Sequence, residues 1–376
     1  MVRDDLPIWP RWGEQLGSRP QWLPALSCPG HHVGRRTRRQ SALRIAMAQN
    51  SARAAFSSAQ VIGTPGQQPR PADTGACTRL PTSPAQRLRV LLTGATGYIA
   101  SQLLQTLSER YDLVLADARS TRRDGSHVGD VHVVDIENAD DDALRPLFAG
   151  CDAVIHLGYR RPSGPVTLGG VQAYLDERAN VDMAEKVFRN AHAMGVRRVV
   201  MASSNHAADW YEPKIHARHL DQVTVDDLPR SDNYYGWSKV AYEALGFTWA
   251  TGAPGHPLEV VQVRIGAPRE IDVAHFAGNP TGLKRDLGAW ISPRDLLQLI
   301  VRSVETPDIR NSDGVPFLIV YGVSNNTRGF WSIANARVAI GYAPEDDSEV
   351  HYAAAIARDL IAHGDRGRVG TEPHGA

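Results

Sequence analysis

Lysine and cysteine are scarce in this chain. Among its 376 residues the lysines are Lys186, Lys214, Lys239 and Lys284, and the three cysteines are Cys28, Cys77 and Cys151. An odd number of cysteines without metal-ligand spacing speaks against a disulfide framework and against a structural metal, and fits a reducing cytoplasm. No run of about 18 apolar residues occurs, so no segment reads as a membrane span. Charge of one sign is also missing overall, with 41 Lys+Arg against 41 Asp+Glu. The balance is uneven, because residues 1–86 hold 11 arginines against four acids. That segment is rich in Pro, Ser, Gln and Arg and lacks interleaved aromatics, so nucleic-acid binding is not indicated. Arg35-Arg-Thr-Arg-Arg39 looks like a twin-arginine signal, but no adequate hydrophobic stretch follows it. No helical or strand periodicity is visible through residue 86, which reads as a disordered extension, with Met47 an alternative start. The tail 364–376 reads as disordered too.

Rarity of lysine gives weight to Asn233-Tyr-Tyr-Gly-Trp-Ser-Lys239. Tyr235 and Lys239 stand four residues apart, and on a helix that spacing puts both side chains on one face. With 11 tyrosines, chance yields only about 0.12 such pairs per chain. An ordinary phenol has a pKa of about 10, and a neighbouring cation favours the phenolate. Bringing the phenol to about 7 requires roughly 4 kcal/mol. Such a pair can take a proton from a substrate hydroxyl, as carbinol oxidation requires. A surface pair on a helix is the bland alternative.

The surroundings favour the chemical reading. Leu88-Arg-Val-Leu-Leu92 suits a buried parallel strand, and Thr93-Gly-Ala-Thr-Gly-Tyr-Ile-Ala100 follows it, opening a helix to about Arg110. Gly94 and Gly97 let the backbone turn tightly and approach a pyrophosphate, and Ala100 substitutes for a third glycine. The helix N-terminus supplies unpaired N–H donors to phosphates. Thr96, Tyr98 and Ile99 of this loop join the glycines as candidate cofactor contacts. A second strand, Leu113-Val-Leu-Ala-Asp117, ends in an acid that can accept the adenosine ribose hydroxyls and repel a 2′-phosphate, which predicts NAD over NADP. Strands are expected at 131–135, 153–158, 197–202 and 258–265, with helices over about 140–148 and 171–194. Alternation of this kind predicts an α/β fold, a Rossmann-type doubly wound parallel sheet. Ligands bind such sheets beyond the carboxyl ends of the strands, where Gly94, Gly158, Ser204, Asn205 and His206 all fall. His216-x-x-His219 has no third ligand at suitable spacing, and reads as solvated loop rather than a metal site.

Taken together, these residues resemble the NAD-dependent epimerase/dehydratase family, the extended short-chain dehydrogenases, over about residues 88–363. The glycine loop, Asp117, Asp135-Ile136, His156-Leu157-Gly158, Asn180, Ser204 and Tyr235-x-x-x-Lys239 occur in the family's order. Ala202-Ser-Ser-Asn-His206, Val263-Arg-Ile-Gly266, Arg285-Asp-Leu-Gly-Ala-Trp-Ile-Ser292 and Tyr321-Gly-Val-Ser-Asn-Asn are most similar to the uronate dehydrogenases. That resemblance implies NAD as cofactor, held in addition by Asp135, Ile136, Leu157, Gly158, Asn180 and Ile265. It implies oxidation of the anomeric carbon of a hexuronic acid to an aldarolactone. Tyr235 would take the hydroxyl proton, Lys239 would lower the phenol pKa and hold the nicotinamide ribose, and Ser204 would steady the reacting oxygen. Asn205 and His206 would position sugar hydroxyls, and Arg285 would bind the substrate carboxylate. Two positions depart from the pattern. Ala267 stands where the family has a serine after Arg-Ile-Gly, and Arg161 lies near the place of another, where it would be a second anion contact. The expected organisation is a Rossmann core over 88–266 and a small C-terminal substrate lobe over 267–363 interleaved with it. The partner is a small sugar acid, and a homo-oligomer is left open. A nucleotide-sugar epimerase or dehydratase and a non-catalytic NAD sensor are the rivals.

Overall fold

Arg89-Val-Leu-Leu-Thr93 forms the first strand, β1, buried after Arg89. The computed structural model describes residues 87–163 and 170–363; the expected N-terminal extension and C-terminal tail lie outside the described residues. The remaining strands are β2 (Asp112–Asp117), β3 (Val131–Val133), β4 (Ala153–His156), β5 (Arg198–Ser204), β6 (Glu259–Ile265) and β7 (Phe317–Gly322). They make one seven-stranded sheet in the order β3-β2-β1-β4-β5-β6-β7, and each neighbouring pair is parallel. The major helices are α1 (Tyr98–Arg110), α2 (Asp141–Phe148), α3 (Val171–Ala193), α4 (Glu212–His216), α5 (Tyr234–Ala250), α6 (Pro280–Ala289) and α7 (Pro293–Glu305).

The period of two in β1 sorts its side chains between two cores. Val90 and Leu92 pack with Leu103 and Leu107 of α1 and with Leu296, Leu299 and Ile300 of α7. Leu91 points the other way, to Phe148 of α2, Val187 and Phe188 of α3, and Tyr242 of α5. Helices therefore cover both faces, as a parallel sheet needs. The chain reverses its winding between β1 and β4, and the crevice at that switch point is where ligands of such sheets bind.

Two differences from the sequence reading have local causes. The third strand ends at Val133 rather than running to Asp135, because Asp135 folds onto its own turn: its Oδ1 accepts the Glu137 N–H at 3.1 Å and its Oδ2 the Asn138 amide at 2.7 Å. The seventh strand was not foreseen, since Phe317-Leu-Ile-Val is a continuous apolar run that periodicity cannot separate from a buried helix.

Candidate active site

The loop after β1 is shaped by contact with the end of β4. Gly94 has φ +73°, and a Cβ there would lie 2.7 Å from the Gly158 nitrogen and the Leu157 carbonyl carbon. Only glycine allows this approach. Gly97 then caps α1 without any side-chain hydrogen bond, which leaves the first N–H groups of the helix for an anionic ligand. Asp117, at the end of β2, is oriented by Thr96: its Oδ2 accepts the Thr96 N–H at 2.9 Å and its hydroxyl at 2.8 Å. These features fit a dinucleotide with its pyrophosphate on α1 and its adenosine ribose at Asp117. Ile136 is buried, and Tyr98, the first residue of α1, is 47% exposed. His156, the last residue of β4, is held by Thr93 Oγ1 at 2.6 Å. Burial, and then the charge of Lys239, lower its pKa to about 3, so it is a neutral structural histidine.

Asn180 sits on α3 with its amide engaged by the loop after β4. Its Oδ1 accepts the Arg160 N–H at 2.8 Å, and its Nδ2 donates to the Arg160 carbonyl at 3.0 Å. The anchored arginine of that loop is Arg160, paired with Glu137 at 2.9 Å and Asp176 at 3.3 Å. Arg161, the expected anion contact, is exposed.

On the other side of the crevice, α5 starts at Asn233, whose Oδ1 accepts the Gly236 N–H at 2.9 Å. A Cβ on Gly236 would fall on the His206 carbonyl and on Ser231. The helix start thus presses directly on the strand end that carries Ser204. Tyr235, Lys239 and Glu243 follow at i, i+4 and i+8 on one face. Glu243 locks that face to the sheet: it accepts Ser203 Oγ at 2.6 Å and takes Arg264 Nε and Nη2 at 2.9 and 2.8 Å. Arg264 is fully buried, as is nearly all of Glu243.

Lys239 lies in a cage of tyrosines, its Nζ 4.8, 5.0 and 4.9 Å from the ring centres of Tyr159, Tyr235 and Tyr242. Burial brings its pKa down to about 8, against the pull of Glu177 and Glu243. Tyr235 is pushed up to about 12, chiefly by burial and further by Glu177, while hydrogen bonding with Ser204 and the charge of Arg285 act downward. The expectation that Lys239 depresses this phenol is therefore corrected. Desolvation outweighs it in the structure, and the lowering influences come from Ser204 and Arg285.

Ser204 ends β5, and its Oγ accepts the His206 N–H at 3.3 Å, so it caps the turn as well as facing Tyr235. Asn205 is buried, and its Nδ2 has no hydrogen-bond partner; a buried unpaired donor here suits a ligand oxygen. His206 packs edge-on to Tyr235, ring centres 5.4 Å apart. Its Nδ1 meets Asp209 Oδ2 at 2.9 Å, and that carboxylate also accepts the Asn233 amide at 2.8 Å. Arg285, from α6, reaches the same place, with Nη2 3.2 Å from His206 Nε2. Ile265 ends β6 opposite Ser204. The structure thus brings Ser204, His206, Tyr235, Lys239 and Arg285 to one end of the sheet. Ala267 is buried and pairs with Trp290, leaving no hydroxyl at that position.

The sequence reading missed Glu177, Tyr159, Asp209, Glu212 and Glu243. Glu177 is buried on α3 and accepts the Tyr159 hydroxyl at 2.5 Å and Ser238 Oγ at 2.8 Å. A signal existed: Glu177 and Asn180 fall on the stripe of α3 that continues as Ala184 and Val187, and acids on a buried stripe are rare unless paired. His216 is not solvated loop but the end of α4, partly buried with its ring 5.8 Å from Phe330. Among the described residues no group of three or more His, Cys, Asp or Glu could hold a metal ion, and no helix is long and apolar enough to cross a membrane.

Comparison with known proteins agrees with this geometry. Residues 90–263 match the NAD dependent epimerase/dehydratase family. The chain is 34% identical to an NAD-dependent glucose-6-phosphate dehydrogenase of Haloferax volcanii, over 69% of this chain and 94% of the relative. It is 32% identical to the uronate dehydrogenase of Pseudomonas syringae pv. tomato, over 74% of this chain and 89% of the relative. A solved structure of a mutated uronate dehydrogenase superposes with a TM-score of 0.55 at 26% identity, covering 72% of this chain and 86% of that one.

Proposed function

The chain belongs to the NAD-dependent epimerase/dehydratase family, and from that premise we propose that it oxidises the anomeric carbon of a free cyclic sugar, a hexuronic acid, to the aldarolactone. Sugar oxidation is common to the named relatives, which are dehydrogenases of uronate, of glucose 6-phosphate and of L-arabinose. The first two names describe a sugar carrying an anionic group, and the third a neutral one. The observation that carries the finer reading is the placement of Arg285 Nη2 against His206, whose ring packs on Tyr235. A cation lies one ring away from the proton acceptor, and a guanidinium suits a carboxylate.

When bound, NAD+ supplies the hydride acceptor and a positive charge near the reacting carbon. Tyr235, as the phenolate that Ser204 and Arg285 favour and that the positive charge of NAD+ would favour further, accepts the proton of the anomeric hydroxyl as the carbonyl forms at that carbon. Ser204 donates its one proton to the phenol oxygen in the free protein and lowers the phenol pKa; with sugar bound the same O–H would turn to the reacting oxygen. Lys239 keeps a positive charge beneath the tyrosine, sustained in its dry cage by Glu177 and Glu243. His206, fixed by Asp209, presents its ring edge to sugar hydroxyls. Asn205 Nδ2 is a further donor to the ligand.

The test is NADH absorbance after addition of galacturonate or glucuronate to the full chain with NAD. Release of NADH equal to the sugar consumed supports the reading. A nucleotide sugar converted without net NADH would replace it with the epimerase or dehydratase alternative.

A further inference from the structure

At the distal end of the site a carboxylate of the chain itself occupies the arginine that a uronate would use. Arg285 turns its Nε–Nη2 edge to Glu212, with Nε 3.3 Å from both Glu212 oxygens and Nη2 3.3 Å from Oε1. Its Nη1 lies 3.3 Å from Asp286 Oδ1. Asp286 is in turn paired with Arg269 at 2.6 Å. Two guanidinium groups and two carboxylates thus balance, and the cluster offers a substrate no net charge.

We infer that Glu212 is a specificity-determining residue, which competes with the substrate carboxylate for the Nε–Nη2 edge of Arg285 and so sets the preference between acidic and neutral sugars. The inference rests on the reading of the site as one that oxidises a free sugar at its anomeric carbon. Glu212 opens α4, a few residues after Ser204 and His206, so the stretch that carries the reacting-oxygen contacts also delivers the competitor. Arg285 and Glu212 are 19% and 18% exposed, partly withdrawn from water and salt, so the pair is not screened as a surface bridge is. It is also loose. All three of its contacts are 3.3 Å, whereas a firm charge-assisted bond is about 2.7–2.9 Å. A sugar carboxylate can therefore displace Glu212 and take the same fork in the plane of the guanidinium. A neutral aldose does not need to, because its hydroxyl can donate to Glu212 and leave the ion pair standing.

The experiment measures kcat/KM of the full-length protein with saturating NAD on galacturonate, glucuronate, galactose and glucose. The parent protein is compared with Glu212→Gln, Glu212→Ala and Asp286→Asn. Freeing one charged bidentate contact predicts a rise of about tenfold or more in the uronate-to-neutral ratio for both Glu212 variants, through a lower KM for the uronates. Asp286→Asn removes the same charge but leaves the Nε–Nη2 edge occupied, and shifts the ratio by less than about threefold. An unchanged ratio in the Glu212 variants, an equal gain in Asp286→Asn, or a parallel loss on all four sugars overturns the inference while sugar oxidation stands. A parent protein that oxidises none of the four sugars overturns both readings.

Discussion

Lys239 Nζ lies 5.0 Å from the centre of the Tyr235 ring, with the rings of Tyr159 and Tyr242 closing around it at 4.8 and 4.9 Å. Three ring faces attract the ammonium, but they do not replace its lost hydration, and its pKa falls from 10.5 to about 8. Lys239 is thus held at a cost in stability, and the sign of that cost with pH can be worked out. Below pH 8 the lysine is protonated in folded and unfolded chains alike, and the full penalty applies. Between about 8 and 10.5 the unfolded chain binds the extra proton, so stability rises with pH. Above that window the penalty is gone. At about 1.36 kcal/mol per unit the total is about 3 kcal/mol. We predict that Lys239→Met is the more stable protein in urea melts at pH 7, by up to that amount, and that its advantage vanishes by pH 10.5. Its turnover falls at least about a hundredfold. A Lys239→Met protein less stable than the parent at pH 7 would sink this account.

Tyr235 and Ser204 separate in a similar way. Loss of the proposed proton acceptor in Tyr235→Phe should lower kcat by about a thousandfold, while NAD binding, followed by fluorescence quenching, stays within about twofold because the phosphate loop is untouched. Ser204→Ala loses about a hundredfold in kcat. It also removes the main influence that lowers the phenol pKa, so the rising limb of the kcat/KM profile moves to higher pH. A profile that keeps its position would show that Ser204 places substrate without tuning the base.

How much of this could be read beforehand follows the range of the interactions. Gly94, Gly97 and Asp117 announce themselves because strand, turn and helix follow one another locally, and the structure joins them through Thr96 and Gly158. The Tyr235–Lys239 pair is visible because one helical turn connects its members. Glu177 shows in the sequence only as an acid on a buried helix stripe, because its importance comes from Tyr159 and Ser238, which reach it from other elements. The same holds for Glu212, which only the fold brings to Arg285. The direction of the Tyr235 shift could not be read at all, since it is a balance between burial and polar contacts that sequence spacing does not contain.

Glu243 and Arg264 anchor α5 to the sheet. Their pair is 2.8 Å long with side chains 3% and 0% exposed, so removing one partner strands a buried charge. Arg264→Met and Glu243→Leu should each lose about 3–5 kcal/mol in chemical denaturation, while the double variant Arg264→Met/Glu243→Leu recovers most of that loss. Its kcat should remain below the parent value, because the Ser203 contact that also ties α5 to β5 goes with the carboxylate. Additive losses in the double variant would show that the two residues act independently.

Asp117 makes the cofactor preference testable. Thr96 holds its Oδ2 through both N–H and hydroxyl, which fixes the carboxylate where the adenosine ribose is expected. A second negative charge on that ribose would sit within contact range of the carboxylate, where like charges repel by about 1–4 kcal/mol depending on solvent access. Asp117→Ser should therefore raise the NADP-to-NAD ratio of kcat/KM by about a hundredfold, part of it from weaker NAD binding. Thr96→Val serves as the contrast. It frees the carboxylate to move but keeps its charge, so NAD binding weakens while NADP remains excluded. Should Thr96→Val admit NADP as readily as Asp117→Ser, orientation of the loop rather than the charge of Asp117 would be the selecting feature.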